Sequence, residues 1–494
     1  MISAPSKEEF IRLAGKCNII PVYAEISMDM DTPVSIYYKL VGDEAGFILE
    51  SAEASKNFGR YSFIGAQPFA RLTARKNVTE IVAGQHKRLV KKAPLAALKE
   101  YMQTFSFPRL SNLPPLIGGA VGYFAYESVA TWERVRGVAI DDETILAQFL
   151  FCRNLLVMDH LTHSATLMVL ARVEPGENIG ALYDKTAAEL ERIIAKLQRP
   201  AAMPGTKETN IQSNVQLDIP GSDSEIGKDY MAMVEQAKEF IKDGEIFQVV
   251  LSHQFRCKLN KHPFALYRRL RQVNPSHYMF YMQFGEQSLV GASPERLVKL
   301  QDGEVLLYPI AGTRPRGKDE AEDAKLAAEL LTDEKEKAEH AMLVDLGRND
   351  VGRISLPGTV KVRRMMEVEK FSHVMHLVSE VAGQIDPKYG ALDVLAACFP
   401  AGTVSGAPKV RAMEIINLLE KKRRGPYAGA VGYLDFRGNM DTCITIRTLS
   451  IEGDEFTLQS GAGIVADSVP ENEYQEILNK AQALFKVLGE EDEG

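Results

Sequence analysis

Two short carboxylate pairs are the most chemically suggestive feature of this chain: Glu336 and Glu339 in EKAEH, and Glu473 and Glu476 in EYQE. Residues three apart share one face of a helix. Two such helices facing each other would bring four carboxylates to one cavity. Oxygen-only donors suit a hard cation such as Mg²⁺ better than Zn²⁺. The zinc pattern HxxEH is not met, because its first position is Glu336. Spacing alone also fits two solvated acidic faces, with Glu476 paired to Lys480 one turn on.

Three glycine-bearing turns accompany these pairs: Pro309 to Arg314, Ala401 to Lys409, and Ser460 to Gly463. Glycine lets a ligand approach backbone N–H groups closely. The second turn leads into a predicted helix, whose first amides could face an anion. The phosphate-loop pattern GxxxxGK[ST] is absent. With Tyr427, Arg447 and Lys480 the turns supply groups able to bind carboxylates.

The elements that must position these residues read as α+β. Strands are predicted over Val34–Val41, Gly46–Leu49, Ile246–Phe255, His277–Phe284, Glu304–Tyr308, Ala428–Phe436, Thr442–Ile451 and Glu455–Ser460. Helices are predicted over Ala181–Leu197, Tyr230–Ile241, Glu320–Leu346, Ala391–Cys398, Lys409–Glu420 and Asn472–Leu488. Gly347 is placed to stop the third of these. Strands come in consecutive runs, which favours antiparallel sheets over a doubly wound fold. Residues 200–227 are polar and rich in Pro, Gly and Ser. The expected organisation is an N-terminal lobe, 1–198, a linker, 199–226, and a catalytic lobe, 227–494, with the two lobes interwoven.

The bulk numbers exclude several classes. The 494 residues are 45% hydrophobic with a net charge of −8, enough for a large core and a poor match to a nucleic-acid or membrane-surface protein. The N-terminus lacks a signal-peptide pattern. The most apolar stretch, Ile145 to Met158, is interrupted by Gln148, Arg153 and Asn154, so no membrane span is expected. The five cysteines are scattered without CxxC spacing, which points to a reducing, cytoplasmic setting.

Seven segments occur in order across the C-terminal part: PIAGTR, EHAMLVDLGRND, VMHLVSEVAG, GTVSGAPKVRAMEII, GAVGY, DTCITIRT and SGAGIVADSVPENEY. Together they resemble the chorismate-utilising enzymes. The resemblance extends over most of the chain through Leu49-Glu50-Ser51 and Asn274 to Met279. Two positions discriminate within the family. Isochorismate and salicylate synthases carry a lysine base where Gln248 stands, and an amide cannot deprotonate water. Aminodeoxychorismate synthases carry a nucleophilic lysine where Ala311 stands, and a methyl group cannot attack the ring. Both point to the branch of tryptophan biosynthesis that aminates chorismate at C2 with ammonia and then eliminates pyruvate, a lyase.

The resemblance implies roles. Mg²⁺ would be bound by Glu339 and Glu476, with Glu473 in support, and would polarise the ring carboxylate. Glu336 would be the general base, His376 would help the C4 hydroxyl leave, and Thr403 would join these catalytic residues while lining the anion pocket. Tyr427 and Arg447 would hold the enolpyruvyl carboxylate, and Gly312, Thr313, Gly461, Ala462, Gly463 and Lys480 would complete the pocket. Leu49, Glu50, Ser51, Pro275, Tyr278, Met279, Val431 and Tyr433 resemble a tryptophan feedback site, Glu50 meeting the ligand's ammonium. His277 replaces a proline common there. No cysteine sits in a nucleophile elbow, so ammonia would come from a separate glutamine amidotransferase subunit in a hetero-oligomer. The alternatives are an aminodeoxychorismate synthase component and a catalytically silent tryptophan-binding partner.

Overall fold

The computed structural model describes residues 4–28, 30–51, 59–110, 113–138, 140–199, 223–259, 261–370 and 374–489. Every strand pairing in it is antiparallel, and helices flank the strands, as the α+β reading expects. The N-terminal half builds a block of sheet. Strand Ala147–Asp159 is its spine, flanked along one edge by Tyr61–Ala74 and along the other by Gly119–Phe124 and Ser164–Arg172. Its near-unbroken burial explains why the sequence there reads as an apolar run, without alternation.

Two arms of C-terminal strands grow from this block. The first begins where Gly46–Glu50 pairs with Tyr278–Gln283, and continues through Gln287–Ser293, Thr448–Glu452, Glu455–Ile464 and Gln248–Lys258. The second begins where Gly119–Phe124 pairs with Ala430–Asp435, and continues through Met440–Ile444, Arg296–Gln301, Glu304–Leu307 and Val374–Gln384. Val374–Gln384 then carries Ile310–Pro315. The halves are therefore zipped together at two seams. Their cores are shared as well: Phe10, Ile20 and Leu190 pack in one cluster with Tyr267, Leu270 and Leu484. Of the linker expected at 199–226, residues 200–222 lie outside the described residues.

Four expectations are corrected. Val34–Val41 is not a strand; Pro33–Leu40 is a helix. Thr32 accepts from Ser35 N and Ser35 Oγ accepts from Thr32 N, a capping box, and Ile36, Tyr37 and Leu40 form a buried helical stripe. Thr442–Ile451 is not one strand but two, Met440–Ile444 and Thr448–Glu452, parted at Arg447, whose φ of 49° breaks the ladder. Glu320–Leu346 is two helices, Glu320–Thr332 and Glu334–Gly352. Asp333 caps the second by accepting from the N–H groups of Lys335 and Glu336. That second helix runs through Gly347, which therefore does not end it.

Thr32→Ala removes half of the capping box. It should lower stability by about 0.5–2 kcal/mol in a denaturant titration; an unchanged midpoint would mean that the cap contributes nothing.

Candidate active site

The chain crosses between the two arms twice, side by side. Ser293-Pro294-Glu295 links the end of Gln287–Ser293 to Arg296–Gln301, and Thr445-Ile446-Arg447 links Met440–Ile444 to Thr448–Glu452. The crossings are stitched by Ala292 N to Arg447 O at 3.1 Å and by Ile444 N to Glu295 O at 3.0 Å. Proline has no N–H to donate, which ends the ladder before Glu295. The bend turns a carboxylate and a guanidinium out of the sheet into one space. Glu295 was not among the residues singled out from the sequence.

Glu295 Oε1 accepts from Thr403 Oγ1 at 2.9 Å. Desolvation pushes its carboxyl up to about 7, against the opposing pull of the Thr403 hydrogen bond and of the Lys480 and Arg447 charges. Lys480 bridges Glu476 Oε1 at 2.6 Å and donates to the Gly461 carbonyl at 3.1 Å. A Cβ on Gly461 would lie 2.6 Å from the Tyr427 hydroxyl oxygen, so the bare backbone there sits against that buried ring. Burial pushes the Tyr427 phenol up to about 12, so it stays a neutral donor. Thr403, Tyr427, Arg447, Gly461 and Lys480 are thus gathered on one wall, with Ala462 buried behind it.

The opposite wall comes from the Glu334–Gly352 helix and the tip of the second arm. Gln248 Nε2 donates to Glu339 Oε1 at 3.2 Å, and a Cβ on Gly463 would lie 2.6 Å from that same nitrogen. Arg314, which the sequence reading gave no role, bonds Asp333 Oδ2 at 2.7 Å and Glu336 Oε1 at 3.4 Å, fixing the first turn of the helix. Burial raises the Glu336 carboxyl above its ordinary range; Arg314 opposes the shift and the Glu339 charge adds to it. Gly312 has a φ of 66° and lies against Glu336, and its carbonyl is 2.9 Å from His376 Nδ1. A carbonyl only accepts, so Nδ1 carries the proton of the neutral ring and Nε2 carries the lone pair. Burial lowers the His376 pKa, and the nearby Arg447 charge lowers it further. Thr313 Oγ1 sits 3.1 Å from the same Nδ1.

Glu473 and Glu476 lie on the Pro470–Gly489 helix. Burial raises the Glu473 carboxyl, the Glu476 charge adds to that, and Lys480 and Lys335 oppose it. Lys335 belongs to the other glutamate helix, Glu334–Gly352. The carboxylates crowd within each pair, Glu336 against Glu339 and Glu473 against Glu476, which a cation would relieve. Among the described residues no three acidic, histidine or cysteine side chains form a ready-made cage. Mg²⁺ needs only one or two protein carboxylates, with substrate and water filling the rest, and a donor set of Glu339 and Glu476 fits it chemically.

The residues of the expected feedback site lie at the two seams. Leu49 and Tyr278 at the first seam and Val431 and Tyr433 at the second belong to one apolar cluster with Phe47 and Phe63. Glu50 and Met279, directly paired across the first seam, face the other side. There the Glu50 carboxylate accepts from Arg271 Nε at 2.6 Å and from the Tyr267 hydroxyl. Its charge is already matched. Pro275 lies in the turn just before Tyr278, and Ser51 at the edge of the described segment.

Comparison with known proteins agrees with this architecture. The pattern of the chorismate-binding enzymes matches residues 44–486. This chain belongs to that family. Within it, anthranilate synthase component 1 of Acetivibrio thermocellus is 44% identical over 494 residues, covering 99% of each chain. That of Aquifex aeolicus is 44% identical, covering 98% of this chain and 97% of its own. Among solved structures, anthranilate synthase component I from Streptococcus pneumoniae superposes with a TM-score of 0.71 at 37% identity, over 87% of this chain and 93% of that one. The menaquinone-specific isochorismate synthase of Escherichia coli, 20% identical with a TM-score of 0.69, shares the fold.

Gly461→Ala would drive a methyl into the Tyr427 hydroxyl and the Leu251 carbonyl, 2.7 Å away. It should reduce kcat/KM for the family's substrate by up to about 10²-fold, the scale of a 1 Å misplacement. Wild-type kinetics in a folded variant would remove Tyr427 from the site.

Proposed function

We propose that this protein is the synthase component of an anthranilate synthase. It takes chorismate and ammonia, forms the C2–N bond as the C4 hydroxyl leaves, and then eliminates pyruvate to give anthranilate. The observation that carries this reading is Gln248. An amide stands beside Glu339, where a base would be needed to activate water, and Ala311 provides no internal nucleophile. The attacking group must arrive from outside already nucleophilic, as ammonia is. The end-to-end similarity to proteins named anthranilate synthase component 1 supports the same reading. A separate amidotransferase subunit would release that ammonia from glutamine, in a cytoplasmic hetero-oligomer.

Arg447 and Lys480 attract the two carboxylates of chorismate, and Arg447 can grip one bidentately. Thr313, Thr403, the Tyr427 hydroxyl and the bare backbone at Gly461 and Gly463 orient the bound anion. Glu339 and Glu476 would hold Mg²⁺, which when bound supplies Lewis-acid polarisation of the ring carboxylate.

The structure suggests a different proton donor from the one first expected. With Nδ1–H committed to the Gly312 carbonyl and the ring neutral, His376 is a poor acid. Glu295, held up to about 7, keeps a large protonated fraction at neutral pH. It can deliver its proton to the departing C4 oxygen, releasing water. Glu336, with a raised carboxyl, then takes the C2 proton as the enolpyruvyl group departs and the ring becomes aromatic.

Incubation with chorismate, Mg²⁺ and ammonium should give anthranilate fluorescence. A p-aminobenzoate precursor would instead favour an aminodeoxychorismate synthase, and no turnover would leave a silent tryptophan-binding partner. Glu295→Gln keeps the shape but has no acidic proton, and should cost roughly 10²–10⁴ in kcat. After correction for free ammonia, the wild-type rate should fall as pH rises through about 7, because Glu295 loses its proton there; a flat profile would refute that assignment. Tryptophan should inhibit by binding at the seams, and Ser51→Phe should relieve inhibition while leaving basal turnover intact. Persistent inhibition in that variant would place the regulatory site elsewhere.

A further inference from the structure

The Thr403 loop and the strand that carries Gln248 are tied to one buried cation that the chemistry above does not use. Arg424 is 2% exposed. Its NH1 donates to the Val404 carbonyl at 2.7 Å, one residue beyond Thr403. Its NH2 donates to the Val250 carbonyl at 2.7 Å, on the strand that carries Gln248. Glu420 closes the remaining side, accepting from Nε at 2.9 Å and from NH2 at 2.5 Å. The guanidinium carbon lies 5.5 Å from the Tyr427 ring centroid and 4.7 Å from that of Tyr126.

The surroundings hold this group in one orientation. Glu420 Oε1 also accepts from Ser252 N and Ser252 Oγ, each at 2.8 Å. The buried Glu127 carboxylate accepts from Arg424 N at 2.6 Å and from Gly425 N at 3.1 Å. Val250 N bonds Ser405 O at 2.9 Å, completing a closed path between strand and loop. Taking an arginine and a glutamate out of water offsets most of their attraction, so such a pair adds little net stability over an apolar pair of equal volume. Its distinctive contribution is geometric, because a planar fork with fixed donor directions sets the spacing of everything it touches.

We propose that Arg424 is a positioning residue for the amination reaction, fixing the Thr403 loop, the Gln248 strand and the Tyr427 ring at one separation. This rests on reading those three elements as the chorismate site. Arg424 reaches substrate only through them.

Full-length R424K, assayed with chorismate, Mg²⁺ and ammonium chloride, tests it. Lysine keeps a charge against Glu420 but cannot span both carbonyls. The KM for chorismate does not depend on the fraction of folded enzyme, so it separates positioning from simple destabilisation. It should rise and kcat should fall, each roughly ten-fold, within the scale expected for misplaced groups. E420Q leaves the guanidinium in place with a weaker partner, and should raise KM by a smaller factor. Wild-type KM and kcat in folded R424K would overturn the proposal. Should R424K not fold, a wild-type KM in folded E420Q would do the same. A wild-type enzyme that makes no anthranilate would sink the activity reading, and this one with it. An active wild type with an indifferent R424K sinks the positioning role alone.

Discussion

The site depends on a bend in a two-stranded ribbon. Gln287–Gln301 and Met440–Glu452 run beside each other from one arm of the sheet into the other, and both must leave the ladder at the same level. Pro294 withholds a donor on one strand and Arg447 adopts a left-handed φ on the other. The stitches from Ala292 to Arg447 and from Ile444 to Glu295 keep the two breaks in register. A carboxyl and a guanidinium are thereby turned out of the sheet together, facing the space between the arms. The helices bearing the glutamates, and the loop bearing Thr403, then close around that space.

Electrostatics follows from this geometry. The chain is acidic overall, yet the groups aimed from the bend and the C-terminal helix are cations, Arg447 and Lys480. Lys480 shares its helix with Glu473 and Glu476 and pairs with Glu476 one turn away. Desolvation works on two other titratable groups of the site in the direction of neutrality: it raises Glu295 and lowers His376. Glu295 and His376 therefore add less charge to the site than their residue types suggest, while Lys480 keeps its ion pair with Glu476. Such an arrangement is unattainable on an open surface, where water would restore both groups to their ordinary charge.

Much of this was legible in the residues. Glu336 and Glu339 announced a shared helix face by spacing, and the glycines at 461 and 463 announced close backbone approach; the contacts with Tyr427 and Gln248 give that approach its reason. What spacing could not convey was anything decided by long-range pairing. Val34 to Val41 has the β-branched, aromatic content of a strand, and only the local cap at Thr32 marks it as helix. Arg447 sits in a run that alternates like one strand, because the strands on either side of the break keep their own alternation. Glu295 follows Ser-Pro and looks like an ordinary turn residue. Its importance arises from a crossing partner about 150 positions away, and no local pattern encodes that kind of proximity. Glu50 shows the same limit: its type marked it as an anion, but its partners Arg271 and Tyr267, brought over by the helix Pro263–Val273, come from more than 200 positions away.

The same topology explains why a ligand at the seams would be felt at the site. Leu49 and Tyr278 stand where the first arm joins the N-terminal block, and Val431 and Tyr433 where the second arm joins it, yet all four share one apolar cluster. On the proposed reading, a ligand wedged among them would change the angle between the arms without touching either wall of the candidate site. Tyr278 makes the connection shorter still. Its hydroxyl bonds Asp441 and accepts from Arg296, the residue that follows Glu295. Packed strands transmit such a displacement as a shift of whole elements, since close-packed interiors do not deform continuously. On the proposed reading, the walls that would meet around chorismate come one from each arm, so the angle between the arms would be the coordinate on which both binding events act. Two ligands that demand different values of one angle exclude each other with no overlap between their sites.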